Sequence, residues 1–123
     1  MYEVTIIKSF SAAHLLNQIG GKCEELHGHN FKVEVTVAAA DLNKSGLLID
    51  FRVVKKWLTV ILDQMDHQHL NELPFFSRLN PSAENIAKYI YGEMKLKAEQ
   101  AEVKVARVKV WESENAVVTY IPD

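Results

Sequence analysis

The chain has 123 residues, 48% of them hydrophobic and 24% charged, a composition that fits one compact globular domain spanning 1–123 and excludes a disordered or fibrous segment. Its formal net charge is −2, from 14 basic and 16 acidic residues, and no basic run exceeds Lys55-Lys56, so no nucleic-acid partner is expected. No apolar stretch approaches a membrane span and the N-terminus opens straight into Tyr2-Glu3-Val4-Thr5, so no membrane association and a cytoplasmic location are expected.

Val4, Ile6, Ile7 and Phe10 mark a first strand over 2–10, with apolar residues mostly at even positions and a break in phase at Lys8. The stretch 15–26 holds Asn17, Gly20, Gly21 and the single cysteine, Cys23, and lacks either period, so it reads as a loop. Phe31, Val33, Val35 and Val37 then alternate with Lys32, Glu34 and Thr36, the cleanest strand pattern in the chain, which ends at Asp41 to Gly46. The first two strands should pair as an antiparallel hairpin.

Asp50 is placed to cap a helix whose stripe of Val54, Trp57, Leu58, Ile61, Leu62 and Met65 recurs at spacings of three and four, ending near Met65. Pro74 and Pro81 mark 71–81 as irregular, and Ser82 caps a second helix burying Ala83, Ala87, Ile90 and Met94. Residues 103–111 and 116–120 read as two strands around a turn at Ser113-Glu114-Asn115, with Ala106, Val108 and Val110 on the apolar face of the former. The order ββααββ predicts an α+β fold: a four-stranded antiparallel sheet with two helices on one face. Its other face is bare and its edges open, a combination that copies of the chain solve by closing into a barrel, so a homo-oligomer is expected.

All five histidines fall in three short places. His27 and His29 are two residues apart, share the inward phase of Phe31, Val33 and Val35, and flank Gly28; the even phase of the first strand, continued through Ala12, reaches His14. Hairpin pairing would bring the three imidazoles together. Three protein donors with an open fourth position are the pattern of a catalytic zinc, although imidazole also suits copper, nickel and iron, and hydrogen-bonded histidines at a sheet end are the plain alternative. A cation near Cys23 would favour its thiolate and let it act as a base, whereas a lone cysteine is otherwise a small buried residue. Asp66 and His67 combine a carboxylate with an imidazole, or simply place a histidine at a helix C-terminus. Glu112 continues the phase of Val110 and, if it faces inward, needs a partner; if the strand ends at Trp111 it is solvated. Glu84 sits in the first turn of the second helix, where it also complements the dipole. His69 has no role beyond a surface or pocket-rim residue, and Lys22 is a solvated lysine or a phosphate contact.

The segment Cys23-Glu24-Glu25-Leu26-His27-Gly28-His29-Asn30-Phe31 resembles the Cys-x-x-x-His-Gly-His-Asn-aromatic signature of the 6-pyruvoyltetrahydropterin synthase and 6-carboxytetrahydropterin synthase family. Phe10-Ser11-Ala12-Ala13-His14, Asp66-His67, Pro81-Ser82-Ala83-Glu84-Asn85 and Val110-Trp111-Glu112 resemble further segments of that family, in its order. The short chain looks most like the bacterial 6-carboxy-5,6,7,8-tetrahydropterin synthases of queuosine biosynthesis. The resemblance implies one Zn2+ per chain on His14, His27 and His29, with Cys23 as general base and Asp66 with His67 as a proton relay reaching the site of a neighbouring subunit. It also implies Glu112 on the guanidine-like edge of the pterin, and a tunnelling fold assembled as a hexamer from two trimers.

The implied reaction is a lyase conversion of 7,8-dihydroneopterin triphosphate to 6-carboxy-5,6,7,8-tetrahydropterin, acetaldehyde and triphosphate. Alternatives are the 6-pyruvoyl product, formed by triphosphate elimination and internal rearrangement, and a side-chain-cleaving branch whose base is usually glutamate, which Glu24 or Glu25 would supply. Beyond the family stand a zinc hydrolase and a non-catalytic zinc-stabilised oligomerisation module.

Overall fold

In the computed structural model, which describes residues 1–17, 21 and 25–123, the first two strands outrun their apolar patterns and meet as a long antiparallel pair. Strand β1 spans Tyr2–His14 and β2 spans His27–Ala39, in a register that sets Phe10 against Phe31 and His14 against His27. The even phase of β1 holds through Ile6, Phe10, Ala12 and His14, all buried, so the strand extends four residues past Phe10 because its inward face remains covered.

Helix α1 (Phe51–Asp63) starts where Asp50 accepts a hydrogen bond from Arg52 N, and helix α2 (Ala83–Gln100) where Ser82 accepts one from Asn85 N, so both caps stand where the sequence put them. Between them the irregular segment makes two short 3-10 turns, Leu70–Glu72 and Pro74–Phe76, which bury Leu70 and Phe76. Strands β3 (Lys104–Ser113) and β4 (Ala116–Tyr120) complete a sheet of order β1-β2-β3-β4, antiparallel throughout. Val54, Leu58, Ile61 and Leu62 of α1, and Ile86, Ala87, Ile90 and Met94 of α2, join Phe31, Val33, Val35, Val108 and Val110 in one core, so both helices lie on one sheet face. Each fully buried side chain of this kind contributes about 1.5–3 kcal/mol relative to exposure.

The phase of β3 differs from the alternation read in the sequence. Thr36 pairs with Arg107 but Val37 with Val105, so Ala106 is the extra residue of a bulge; it is half-buried, and Val105 takes its place in the core. A second irregularity between Trp111 and Ser113 leaves Glu112 without a partner on β4.

The opposite sheet face carries polar pairs instead of helices. Arg107 donates to Glu3 at 2.6 Å, Trp111 Nε1 donates to Glu34 at 2.6 Å, and Lys32 Nζ stands 4.5 Å from the centre of the Trp111 ring. Ile7 and Val117 are exposed.

Candidate metal centre

The end of the β1/β2 ladder puts His14 opposite His27 and Ala12 opposite His29, and the two-residue repeat of β2 turns His27 and His29 to the same side. Their rings meet edge to face, with centroids 4.6 Å apart for His14 and His27 and 4.7 Å for His27 and His29. From β3, Glu112 reaches the same point: its Oε1 is 3.0 Å from His14 Nε2 and 3.3 Å from His29 Nε2. One donor atom from each of His14, His27, His29 and Glu112 lies within 4.8 Å of the other three. Of the two readings of Glu112, the inward one therefore holds, and its carboxylate faces the histidines.

Backbone carbonyls fix two of the rings. His14 Nδ1 donates to Pro81 O at 2.7 Å and His27 Nδ1 donates to Glu25 O at 2.7 Å. A carbonyl can only accept, so each Nδ1 carries a proton and each Nε2 is left facing the cluster. For His14 this has a sharp consequence. Its side chain is 0% exposed, and Nε2 has no hydrogen-bond partner among the described residues although a carboxylate oxygen stands 3.0 Å away. An unprotonated imidazole nitrogen and a carboxylate repel each other unless a cation lies between them, and a metal ion bound by both removes that conflict. Burial holds His29 below the usual imidazole range; the Glu112 charge opposes this, and His14 and His27 reinforce it. Three imidazole nitrogens, one carboxylate and second hydrogen bonds that orient the rings fit a bound transition metal ion.

Asp66 and His67 follow α1 and lie on the outer edge of β1. Ser11 N donates to Asp66 Oδ1 at 2.9 Å, and His67 Nδ1 donates to Asp66 Oδ2 at 3.0 Å. His67 N donates to Ser11 O and Ala13 N donates to Gln68 O, and His67 adopts a left-handed backbone (φ 59°) as the segment turns along this edge. The Ser11 backbone N–H, followed by the neighbouring His67, holds the Asp66 carboxyl below its ordinary range. The His67 ring is 80% exposed.

An open depression of about 510 Å³ lies between the dyad and the histidine cluster, lined by Ser11, Ala13, Gly28, His29, His67 and His69. His69 is half-buried in this lining, as a pocket-rim residue, with Nδ1 3.5 Å from Glu72. Among the described residues a Cβ on Gly28 would meet Ala12 O at 3.8 Å, an ordinary contact, so no clash requires the glycine. Glu84 is exposed in the first turn of α2. Cys23, Glu24 and Lys22 lie outside the described residues. The orienting carbonyls of Pro81 and Glu25 have no signal in the sequence, where the 81–85 segment reads as a helix start and as part of the resemblance.

The fold and site define an α+β protein with a three-histidine, one-carboxylate centre able to hold a metal ion at the end of its sheet. Residues 3–123 match the family described as 6-pyruvoyl tetrahydropterin synthase, and the chain belongs to that family. It is 32% identical to the 6-carboxy-5,6,7,8-tetrahydropterin synthase of Haemophilus influenzae, over 98% of this chain and 99% of that protein. It is 33% identical to the protein of the same name from Rickettsia typhi, over 96% and 99%. The solved structure of 6-pyruvoyl tetrahydropterin synthase from Caenorhabditis elegans superposes with a TM-score of 0.86 at 29% identity, covering 100% of this chain and 98% of that one.

Proposed function

We propose that this protein is a zinc-dependent lyase that converts 7,8-dihydroneopterin triphosphate and one water to 6-carboxy-5,6,7,8-tetrahydropterin, acetaldehyde and triphosphate, on the route to queuosine. The observation that carries this reading is the buried His14 Nε2, turned with His27 and His29 toward the Glu112 carboxylate and lacking any hydrogen-bond partner among the described residues. The names of the Haemophilus and Rickettsia relatives support the choice of product.

His14, His27 and His29 would hold the ion, which when bound supplies Lewis-acid polarisation of a substrate side-chain oxygen. Glu112 binds the pterin: a carboxylate offers two acceptors to the two parallel N–H groups of its guanidine-like edge, and from the sheet end it sets the ring beside the metal position. Cys23 is the base that exchanges protons with carbon atoms of the substrate side chain. Asp66 accepts from His67 Nδ1, which leaves Nε2 of that exposed ring free to carry a proton. We assign this dyad to the site of a neighbouring subunit, in a hexamer of two trimers whose sheets join edge to edge as a barrel.

Incubating zinc-loaded protein with 7,8-dihydroneopterin triphosphate and weighing the products by mass spectrometry tests the reading. Acetaldehyde and the 6-carboxy product are expected. The 6-pyruvoyl compound, with triphosphate but no acetaldehyde, would move the chain to the branch named by the Caenorhabditis structure. No turnover with zinc retained would leave a zinc-stabilised oligomerisation module.

A further inference from the structure

Beyond His14 the chain leaves the sheet, yet its backbone stays paired. The residues along the outer edge alternate in a strand-like series, each bonded to the segment 66–80. Ser11 is met by Asp66 Oδ1 and His67 N, and Ala13 by Gln68 O. Leu15 N donates to Asn71 Oδ1 at 3.0 Å while Asn71 Nδ2 donates to Leu15 O at 3.0 Å. Asn17 N donates to Asn80 Oδ1 at 2.8 Å, and Asn80 Nδ2 donates to Asn17 O at 2.9 Å. A carboxamide offers one acceptor and a donor pair in the spacing of a peptide unit, so each asparagine serves one residue as a neighbouring strand would. Asn80 is itself held, since Asn85 Nδ2 donates to Asn80 O at 2.8 Å in the first turn of α2. The residue after Asn80 is Pro81, whose carbonyl takes the His14 Nδ1 proton.

We propose that Asn71 and Asn80 are positioning residues of the metal centre: as a surrogate strand they clamp Leu15 and Asn17, and so keep the His14 ring on the Pro81 carbonyl with Nε2 on the metal position. The two anchors act at both ends of one hydrogen bond. Asn17 lies three residues after His14 on one segment, and Asn80 immediately precedes Pro81 on the other, so loosening the clamp lets the ring and its acceptor drift apart. This also gives a function to the 81–85 segment, which among the described residues hydrogen-bonds to the centre through that carbonyl. The inference rests on the metal-centre part of the proposed function but not on the reaction.

The test uses Asn71→Ala, Asn80→Ala and a control, Asn43→Ala, which removes the bonds Asn43 Oδ1 accepts from Ser45 N and Leu47 N in a turn beyond the opposite end of β2. Zinc affinity is read by chelator competition and the cobalt-substituted centre by its visible spectrum. In metal-free protein with 15N-labelled histidine, NMR reads the exchange of the His14 Nδ1–H. Each clamp variant should bind zinc about tenfold more weakly, the usual scale for losing an outer partner of a ligand. Each should also shift the cobalt bands and speed exchange of the His14 proton, while Asn43→Ala leaves all three unchanged. If Asn80→Ala fails to fold, Asn71→Ala carries the test. Zinc affinity within about twofold of the parent with an unchanged cobalt spectrum, or equal losses in Asn43→Ala, would overturn the proposal. If the parent protein binds no zinc, the metal reading fails, and the exchange of the His14 proton still decides whether the clamp positions the ring.

Discussion

Glu112 Oε1 stands 3.0 Å from His14 Nε2, on a ring whose Nδ1 donates its hydrogen bond to the Pro81 carbonyl. Two roles are open to that carboxylate: a fourth donor to the metal or an acceptor for the pterin. A catalytic zinc needs only three protein donors, which the histidines supply. Glu112→Gln should therefore retain zinc near one per chain and lower kcat/KM, chiefly through KM. Losing a hydrogen bond to a charged group costs about 1.5–3 kcal/mol, or roughly tenfold to a hundredfold. Metal analysis beside steady-state kinetics separates the roles, because loss of zinc would make Glu112 a ligand.

His27 and Cys23 divide binding from chemistry. Replacing His27 by Ala removes a donor whose tautomer the Glu25 carbonyl fixes, and should abolish both zinc retention and turnover. Cys23→Ala should abolish turnover while zinc stays near one per chain. If the cysteine variant lost its zinc, the thiol would be a ligand; if it turned over normally, Cys23 would not be the base and the zinc-hydrolase reading would stand.

Asp66 gives the fold an acid-sensitive joint. Its carboxyl is held low by the Ser11 N–H and by His67, so it stays ionised in the folded chain after it would protonate in the unfolded one. A depressed carboxyl contributes stability that is present above its unfolded value and lost as pH falls through the folded one. Urea unfolding of the parent should thus weaken as pH drops below about 4, and Asp66→Ala should flatten that part of the profile. Parallel profiles for the two proteins would show that the joint contributes nothing to acid stability.

How much of this was legible follows from what each residue reports locally. The period-two run from Phe31 carried back to His29 and His27 because β2 stays regular to its start, and the same continuity placed Glu112 inward. His14 was harder: the even phase of β1 reached it across the break at Lys8, and its role as a ligand leaned on the resemblance. Ala106 misled because a bulge inserts a residue without changing the apolar count, and alternation cannot see a register shift made by a partner strand. The clamp of Asn71 and Asn80 was invisible for another reason. It joins side chains to backbone groups 56 and 63 residues away, a contact with no period. The carbonyls of Pro81 and Glu25 are common to every residue type, so no amino-acid identity announces them.

Tyr89 offers a test of the packing behind the site. Its ring stacks on Phe75 with centroids 3.8 Å apart, and its hydroxyl donates to Gln64 Oε1 at 2.6 Å, tying α2 to the end of α1 where the Asp66 segment begins. Burial, then the charge of Glu93 and its hydrogen bond, pushes this phenol up to about 12. A group raised in the folded state adds stability that is complete below its unfolded value and disappears as pH climbs through the folded one. The window therefore runs from about 10 to about 12. Ultraviolet titration of the folded protein should show one tyrosine ionising late, and Tyr89→Phe should delete that step while costing about 0.5–1.5 kcal/mol at neutral pH for the lost bond to Gln64. If that variant instead left the late step in place, the phenol would be assigned to another tyrosine, and the tie between the helices would rest on the ring stack alone.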